Sequence, residues 1–193
     1  ITSRKPQTTR NNVTGIKTDG ADQVIFVDTP GLHKHEPRAI NRYMNRAAGA
    51  AMKDVDLVLF VVDRLVWNEE DEMVAQQLEH SSSPIILVVN KVDLLEDKNQ
   101  LLPHLQELSS RLGVAEIIPL SALRGANLDR LESIILNYIP EGMHMFDDDQ
   151  FTDRSARFMV SEIVREKITR QLGDELPHQM AVEIEEYKQR GPV

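Results

Sequence analysis

Directly after the apolar run Ile85-Ile86-Leu87-Val88-Val89 comes Asn90-Lys91-Val92-Asp93, which sets an amide, an ammonium and a carboxylate within four positions. A carboxylate at the mouth of a base pocket accepts two parallel hydrogen bonds, from the N1–H and the 2-amino group of guanine. Adenine offers a lone pair and a bare C2 there, so the same oxygens would be left partly unpaired. Sites built on such donors and acceptors discriminate by about 10⁴ to 10⁵. Asp93 is therefore the candidate reader of guanine. Asn90 is placed to tie the neighbouring loops together, Val92 spaces the motif, and the aliphatic stem of Lys91 suits the face of a ring. Four such letters also arise by chance at a turn, and it is their position after a buried run that favours chemistry.

A second group, Asp28-Thr29-Pro30-Gly31-Leu32, follows the run Val24-Ile25-Phe26-Val27. Here a carboxylate suits Mg²⁺ held through its water shell, because that ion keeps several waters and takes few protein ligands. The bare backbone N–H of Gly31 suits a terminal phosphate. A Pro-Gly turn is the plain alternative. Ser121-Ala122-Leu123 comes after Ile117-Ile118-Pro119-Leu120, and its small side chains let backbone N–H groups approach the guanine O6. The polar stretch Pro6-Gln7-Thr8-Thr9-Arg10-Asn11 has a hydroxyl, Thr9, to offer Mg²⁺, or is simply a surface loop. His33 and His35 lack a third ligand at a useful spacing, which argues against a metal cage. His80, His104, His144 and His178 are scattered and suit surfaces or helix ends, while Met143 and Met145 are expected as packing contacts.

To position these groups the chain needs strands ending at Val27, Val62, Val89 and Leu120. Leu57-Val58-Leu59-Phe60-Val61-Val62 is the fourth run of this kind, and near-continuous apolar character suits strands buried on both faces. Helical periodicity over 38–53, 69–79, 98–112 and 127–138 alternates with the runs. That order implies right-handed crossovers and a three-layer α/β domain around a parallel sheet. Asp28, Asp63, Asn90 and Ser121 each follow a run, so all four are expected along the carboxyl edge, where open α/β sheets bind ligands. Residues 141–154, with no period and an acidic stretch, read as a linker. Beyond them 155–172 is expected as a helix and Met180 to Glu185 as a strand, too few elements to enclose a core.

The 193 residues contain 22 Lys and Arg against 31 Asp and Glu, a net charge of −9, and no Cys. Disulfide scaffolds and Cys-ligated zinc are excluded. The charge argues against phosphate binding over the whole surface, although residues 1–18 and 154–170 are locally basic and suit a polyanion or a solvated face. The longest apolar stretch is far below the ~20 residues needed to span a bilayer. A start at Ile1, with no initiator Met and no apolar leader, is expected of a piece cut from a longer cytoplasmic protein.

In order, Thr9, Asp28-Thr29-Pro30-Gly31, Asn90-Lys91-Val92-Asp93 and Ser121-Ala122-Leu123 resemble four of the five motifs of P-loop GTPases, over residues 1–140. The wording Ile1-Thr2-Ser3-Arg4-Lys5-Pro6-Gln7-Thr8-Thr9-Arg10, the run 28–33 and Thr152-Asp153-Arg154-Ser155-Ala156-Arg157-Phe158 are similar to the Era-like branch of bacterial GTPases. That resemblance implies a GTPase domain over 1–140, a linker over 141–154 and the start of an α+β type II KH domain over 155–193. It implies binding of GTP and GDP with Mg²⁺ and hydrolysis of GTP to GDP and phosphate. Thr9, Asp28 and Gly31 would serve catalysis, Thr9 and Asp28 would attend the metal, and residues 28–32, 90–93 and 121–123 would hold the nucleotide. It also implies the 3′ end of small-subunit ribosomal RNA and the 30S subunit as partners, a monomer, a cytoplasmic place with peripheral contact at the inner membrane, and K⁺ as a further ion. Leu32 stands where Ras-like enzymes carry a water-orienting Gln. Leucine cannot hold a water, and its apolar side chain also suits a core-facing anchor. The phosphate loop G-x-x-x-x-G-K-[ST] and the KH G-x-x-G loop do not occur in the chain, so as given it is expected to be inactive. Two further readings are a GTPase of the same branch serving tRNA modification and a nucleotide-free piece that binds RNA or a partner.

Overall fold

The computed structural model describes residues 13–29, 49, 54–171 and 181–187. The expected helix over 38–53 lies outside the described residues except for Gly49. Contacts divide the chain into two units, Leu32–His144 and a second made of Ile1–Gly31 with Met145–Val193.

Within the 32–144 unit, strands β3 (Val58–Asp63), β4 (Ile85–Asn90) and β5 (Glu116–Pro119) form a parallel sheet in the order β3-β4-β5. β4 is central because it alone is apolar on both faces: Ile86, Leu87, Val88 and Val89 are at most 1% exposed. On one face Leu87 and Val89 join Phe60, Val62, Ala75, Leu78, Ile85 and Leu108 in a single core. β3 departs from expectation, since Phe60 and Val62 are buried but Val61 is 54% exposed, so this run alternates.

Helix α1 (Glu69–Leu78) begins at a capping box. Asn68 Oδ1 accepts the N–H groups of Glu70 and Asp71, and Asp71 Oδ2 accepts the Asn68 N–H at 2.9 Å. Four acids in its first turn suit the positive end of the helix dipole. The region expected as one helix over 98–112 is a 3₁₀ turn, Lys98–Gln100, followed by α2 (Leu101–Arg111), where Pro103 sits harmlessly in the first turn. Trp67 joins the two helices: its Nε1–H donates to Glu72 Oε2 at 2.9 Å, and Glu72 also pairs with Arg111, whose guanidinium lies over the indole. The Trp67 hydrogen bond comes first among the influences that hold the Glu72 carboxyl below its ordinary range. Helix α3 (Leu128–Tyr138) buries Leu131 and Ile135, four apart on one stripe.

In the second unit the run Val24–Val27 belongs to β2 (Asp22–Asp28), which is not a strand of the parallel sheet. It pairs antiparallel with β1 (Val13–Asp19) through a turn at Gly20, whose φ of 60° is cheap only without a Cβ. β1 went unrecognised because Thr14, Gly15 and Lys17 interrupt its apolar pattern. The stretch read as a linker is pinned to this hairpin. Gln23 Oε1 accepts the N–H groups of Met145 and Phe146, Ile16 N–H donates to the Phe151 carbonyl, and the Thr152 hydroxyl donates to Thr14 O at 2.6 Å. Met143 and Met145, expected in packing contacts, are 94% and 78% exposed.

Helix α4 (Ala156–Gln171) follows. The strand expected from Met180 to Glu185 is not formed over 181–187. There the carbonyls of Ile184 and Glu185 accept from the Arg157 guanidinium, at 2.9 and 2.6 Å, rather than from a neighbouring strand. Among the described residues no helix is long and apolar enough to cross a membrane.

Candidate functional site

The tips of the three parallel strands bring together Asp63, Asn90 and the start of the loop after β5. Asp63 and Asn90 are direct partners in the β3/β4 register, and Val89 faces Pro119 across β4/β5. Lys91 then adopts the left-handed conformation, φ 61° and ψ 30°, which turns the chain sharply out of β4. As a result the Val92 N–H reaches the Leu120 carbonyl at 3.1 Å, and Asp93 falls on the β5 side within the 3₁₀ turn Val92–Leu94.

Asp93 is held by a buried hydroxyl. Ser121, 1% exposed, donates its Oγ–H to Asp93 Oδ1 at 2.6 Å and accepts the Arg124 N–H at 3.2 Å. A carboxylate has about four lone-pair sites, so this bond fixes the orientation of Asp93 while leaving room for two more donors on one edge. The loop that carries Ser121 is closed by its N–H donating to Ala126 O, aided by Gly125 at φ 73°, and is anchored to β5 by Asn127 Nδ2 on the Pro119 carbonyl at 2.7 Å. Asn90 ties the loops as expected: its Oδ1 accepts the N–H groups of Lys91 at 2.7 Å and Ala122 at 3.0 Å. The Ala122 N–H, expected to face a purine O6, is thus engaged by Asn90. Leu123, next in the chain, is 82% exposed and offers an apolar surface to solvent.

Asp63 was expected at this edge but without a role. Its Oδ2 accepts Lys91 Nζ at 2.8 Å and its Oδ1 accepts Arg64 Nε at 2.8 Å. Burial alone would raise its carboxyl, but hydrogen bonds and charge from Lys91 and Arg64 outweigh that and hold it below the ordinary range. Its place one position past the Leu57–Val62 run was legible, whereas its level beside Asn90, and hence its reach to Lys91, comes from the strand register.

Asp28 ends β2 opposite Val13 in the hairpin unit, with Thr29 following it. The expectation of four edge residues on one sheet therefore holds for Asp63, Asn90 and Ser121 and not for Asp28, because β2 pairs with β1 instead. Thr9, Pro30, Gly31, Leu32, His33 and His35 lie outside the described residues. Among the described residues no three His, Cys, Asp or Glu side chains cluster as metal ligands. Of the cations expected to face a polyanion, Arg165 is buried and paired with Glu162 at 2.6 Å, Arg157 serves the 184–185 carbonyls, and Arg154 lies over the Phe158 ring.

Residues 1–91 match the model of a family described as 50S ribosome-binding GTPases. GTPase Era of Azotobacter vinelandii is 60% identical over all 193 residues, and that of Marinobacter nauticus is 61% identical over 191 residues, 99% of this chain. The chain spans about 64% of the length of the curated relatives it matches. Among solved structures, Era in complex with MgGDPNP and nucleotides 1506–1542 of 16S ribosomal RNA is similar at TM-score 0.87 and 36% identity, covering 92% of this chain and 61% of that one. A variant of Aquifex aeolicus Era bound to GDP·AlF₄⁻ follows at TM-score 0.84 and 34% identity, covering 92% of this chain and 60% of that one. A parallel sheet whose tips carry Asn90, Asp93 and Ser121 thus stands beside a likeness, along the whole of this chain, to the Era family of P-loop GTPases.

Proposed function

We propose that this chain carries the guanine-reading part of a GTPase that binds GTP and GDP and hydrolyses GTP in the service of the small ribosomal subunit. One observation carries the reading: the Asp93 carboxylate is fixed by the buried Ser121 hydroxyl at the tips of β4 and β5. That geometry presents an acceptor edge to the N1–H and 2-amino group of guanine. Asn90 stiffens the site by bridging the Lys91 and Ala122 backbones, and Leu123 offers an apolar rim for the ring.

Mg²⁺ fits the donor set, since it needs only one or two protein oxygens and Asp28 is a carboxylate at a strand end. When bound, the ion would supply positive charge at the phosphates, and Thr9 is the second ligand that the family resemblance suggests. The same resemblance supports Gly31 as the contact to the terminal phosphate and K⁺ as a further ion. It likewise supports a KH domain opening at 155–193, contact with the 3′ end of small-subunit ribosomal RNA during 30S assembly, a monomeric protein, and a cytoplasmic place with peripheral membrane contact. Similar solved Era proteins hold MgGDPNP with 16S ribosomal RNA, or GDP·AlF₄⁻.

The experiment is titration of the full-length protein with GDP, XDP and ADP, with and without Asp93→Asn. An amide offers one donor and one acceptor where the carboxylate offers two acceptors, so the substitution moves preference from guanine towards xanthine. Unchanged GDP affinity and unchanged preference would refute the reading. A short RNA from the ribosomal 3′ end, titrated alongside, tests the RNA assignment separately.

A further inference from the structure

The β3-β4-β5 order sets Asp63 and Ser121 on opposite flanks of Asn90, and each flank holds one member of the Asn90-Lys91-Val92-Asp93 motif. On the β5 flank Ser121 orients Asp93. On the β3 flank both oxygens of Asp63 are taken, Oδ2 by Lys91 Nζ and Oδ1 by Arg64 Nε, each at 2.8 Å, so the carboxylate is held against rotation. Arg64 is itself fixed, with its N–H donating to the Asn90 carbonyl at 2.9 Å. A lysine side chain otherwise samples many rotamers. With its ammonium tied at the tip of β3, the stem of Lys91 has one course from β4 across to the neighbouring strand.

Resting on the guanine reading above, we infer that Asp63 is a positioning residue of the purine pocket: it holds the Lys91 ammonium so that the lysine stem stands as a ready-made wall on the side opposite Asp93. The pair is half exposed, 54% for Lys91 and 38% for Asp63, so its attraction in water is small. Its consequence is geometric: a wall already in place when the base arrives, so less freedom is lost on binding. Loss of Asp63 should weaken every purine alike, because the wall touches ring faces and not the edge that Asp93 reads.

The test uses the full-length protein, fluorescent GDP and XDP, and four forms: unsubstituted, Asp63→Ala, Lys91→Met, and the double variant. Asp63→Ala should weaken GDP about fivefold, the upper end for an exposed ion pair, mostly through faster release. The ratio of GDP to XDP affinity should stay constant. In the Lys91→Met background, which keeps the stem and lacks the ammonium, Asp63→Ala should change nothing further. A merely structural Asp63 would cost the same in both backgrounds, and that result, or a silent Asp63→Ala, overturns the inference. If Asp63→Ala does not fold, Asp63→Asn carries the same cycle, since it keeps the size and one acceptor while losing the charge. Asp93→Asn in the same assay separates the two levels. If it leaves guanine preference intact, the nucleotide reading falls and takes the role of Asp63 with it. If it shifts preference while Asp63→Ala is silent, only the role of Asp63 falls.

Discussion

Replacing Ser121 by Ala removes one oxygen from a residue that is 1% exposed and so tests the site without removing its carboxylate. Two bonds are lost. The hydroxyl no longer donates to Asp93 Oδ1 at 2.6 Å, and the Arg124 N–H loses its acceptor at 3.2 Å. A hydrogen bond to a charged group contributes about 1.5–3 kcal/mol. Asp93 is exposed and recovers water, which places the expected cost near the lower end, about 1.5 kcal/mol. For a chain of this size each kcal/mol lowers Tm by about 2–4 °C, so a fall of about 3–6 °C should appear in a thermal melt followed by circular dichroism. In the full-length protein the released carboxylate must be reordered when guanine binds, which should weaken GDP about tenfold, or about 1.4 kcal/mol. Ser110→Ala is the control, since its hydroxyl only donates to the Glu107 carbonyl of its own helix on an exposed face, and Tm should hardly move. If Ser121→Ala matches the control in both melt and affinity, the Ser121 hydroxyl does not hold Asp93 and the site argument fails at its centre.

Lys91 sits at φ 61°, so Lys91→Gly should leave Tm nearly unchanged while Lys91→Val lowers stability by about 1–2 kcal/mol, and both should weaken GDP binding. Asp63 has a depressed carboxyl, so its ion pairs are complete above the ordinary value of 3.8 and are lost as pH falls through its lower folded value. The Tm gap between the unsubstituted protein and Asp63→Asn should therefore be present at pH 6 and close in strong acid. Asp71 has the opposite sign: burial raises its carboxyl despite the Asn68 N–H bond, so its charge costs stability above the ordinary value.

The three parallel strands were legible because each is a short apolar run ending in a polar residue, and Ile85–Val89 is apolar at every position as a central strand must be. Asn90 and Ser121 were legible for the same reason, since a residue one place past a buried run has nowhere to go but the strand tip, whereas Asp93, four places past Val89, reaches the tip only through the turn at Lys91. What failed was pairing. Val24–Val27 looks like the other runs, yet its partner Val13–Asp19 carries Thr14, Gly15 and Lys17, and an antiparallel neighbour of that composition leaves almost no apolar signal. The alternation from Met180 to Glu185 misled in the other direction, because the Arg157 guanidinium takes its carbonyls. Side-chain pairs across strands, such as Asp63 with Lys91, depend on register, and register is not visible in one chain read along its length.

The left-handed backbone at Lys91 explains why these pieces meet at one edge of the sheet. A residue other than glycine in that conformation costs of order 1 kcal/mol or more, and glycine would avoid the cost. The turn is needed because an extended residue there would carry Asp93 onward in line with β4, away from Ser121. The side chain is needed because glycine would leave nothing for Asp63 to hold. Lysine meets both demands: its unbranched Cβ tolerates the turn better than a branched one would, and four methylenes let the ammonium reach the neighbouring strand while Asp93 swings to the other. Strain at one backbone position is thus exchanged for two walls set in place on either side of Asn90.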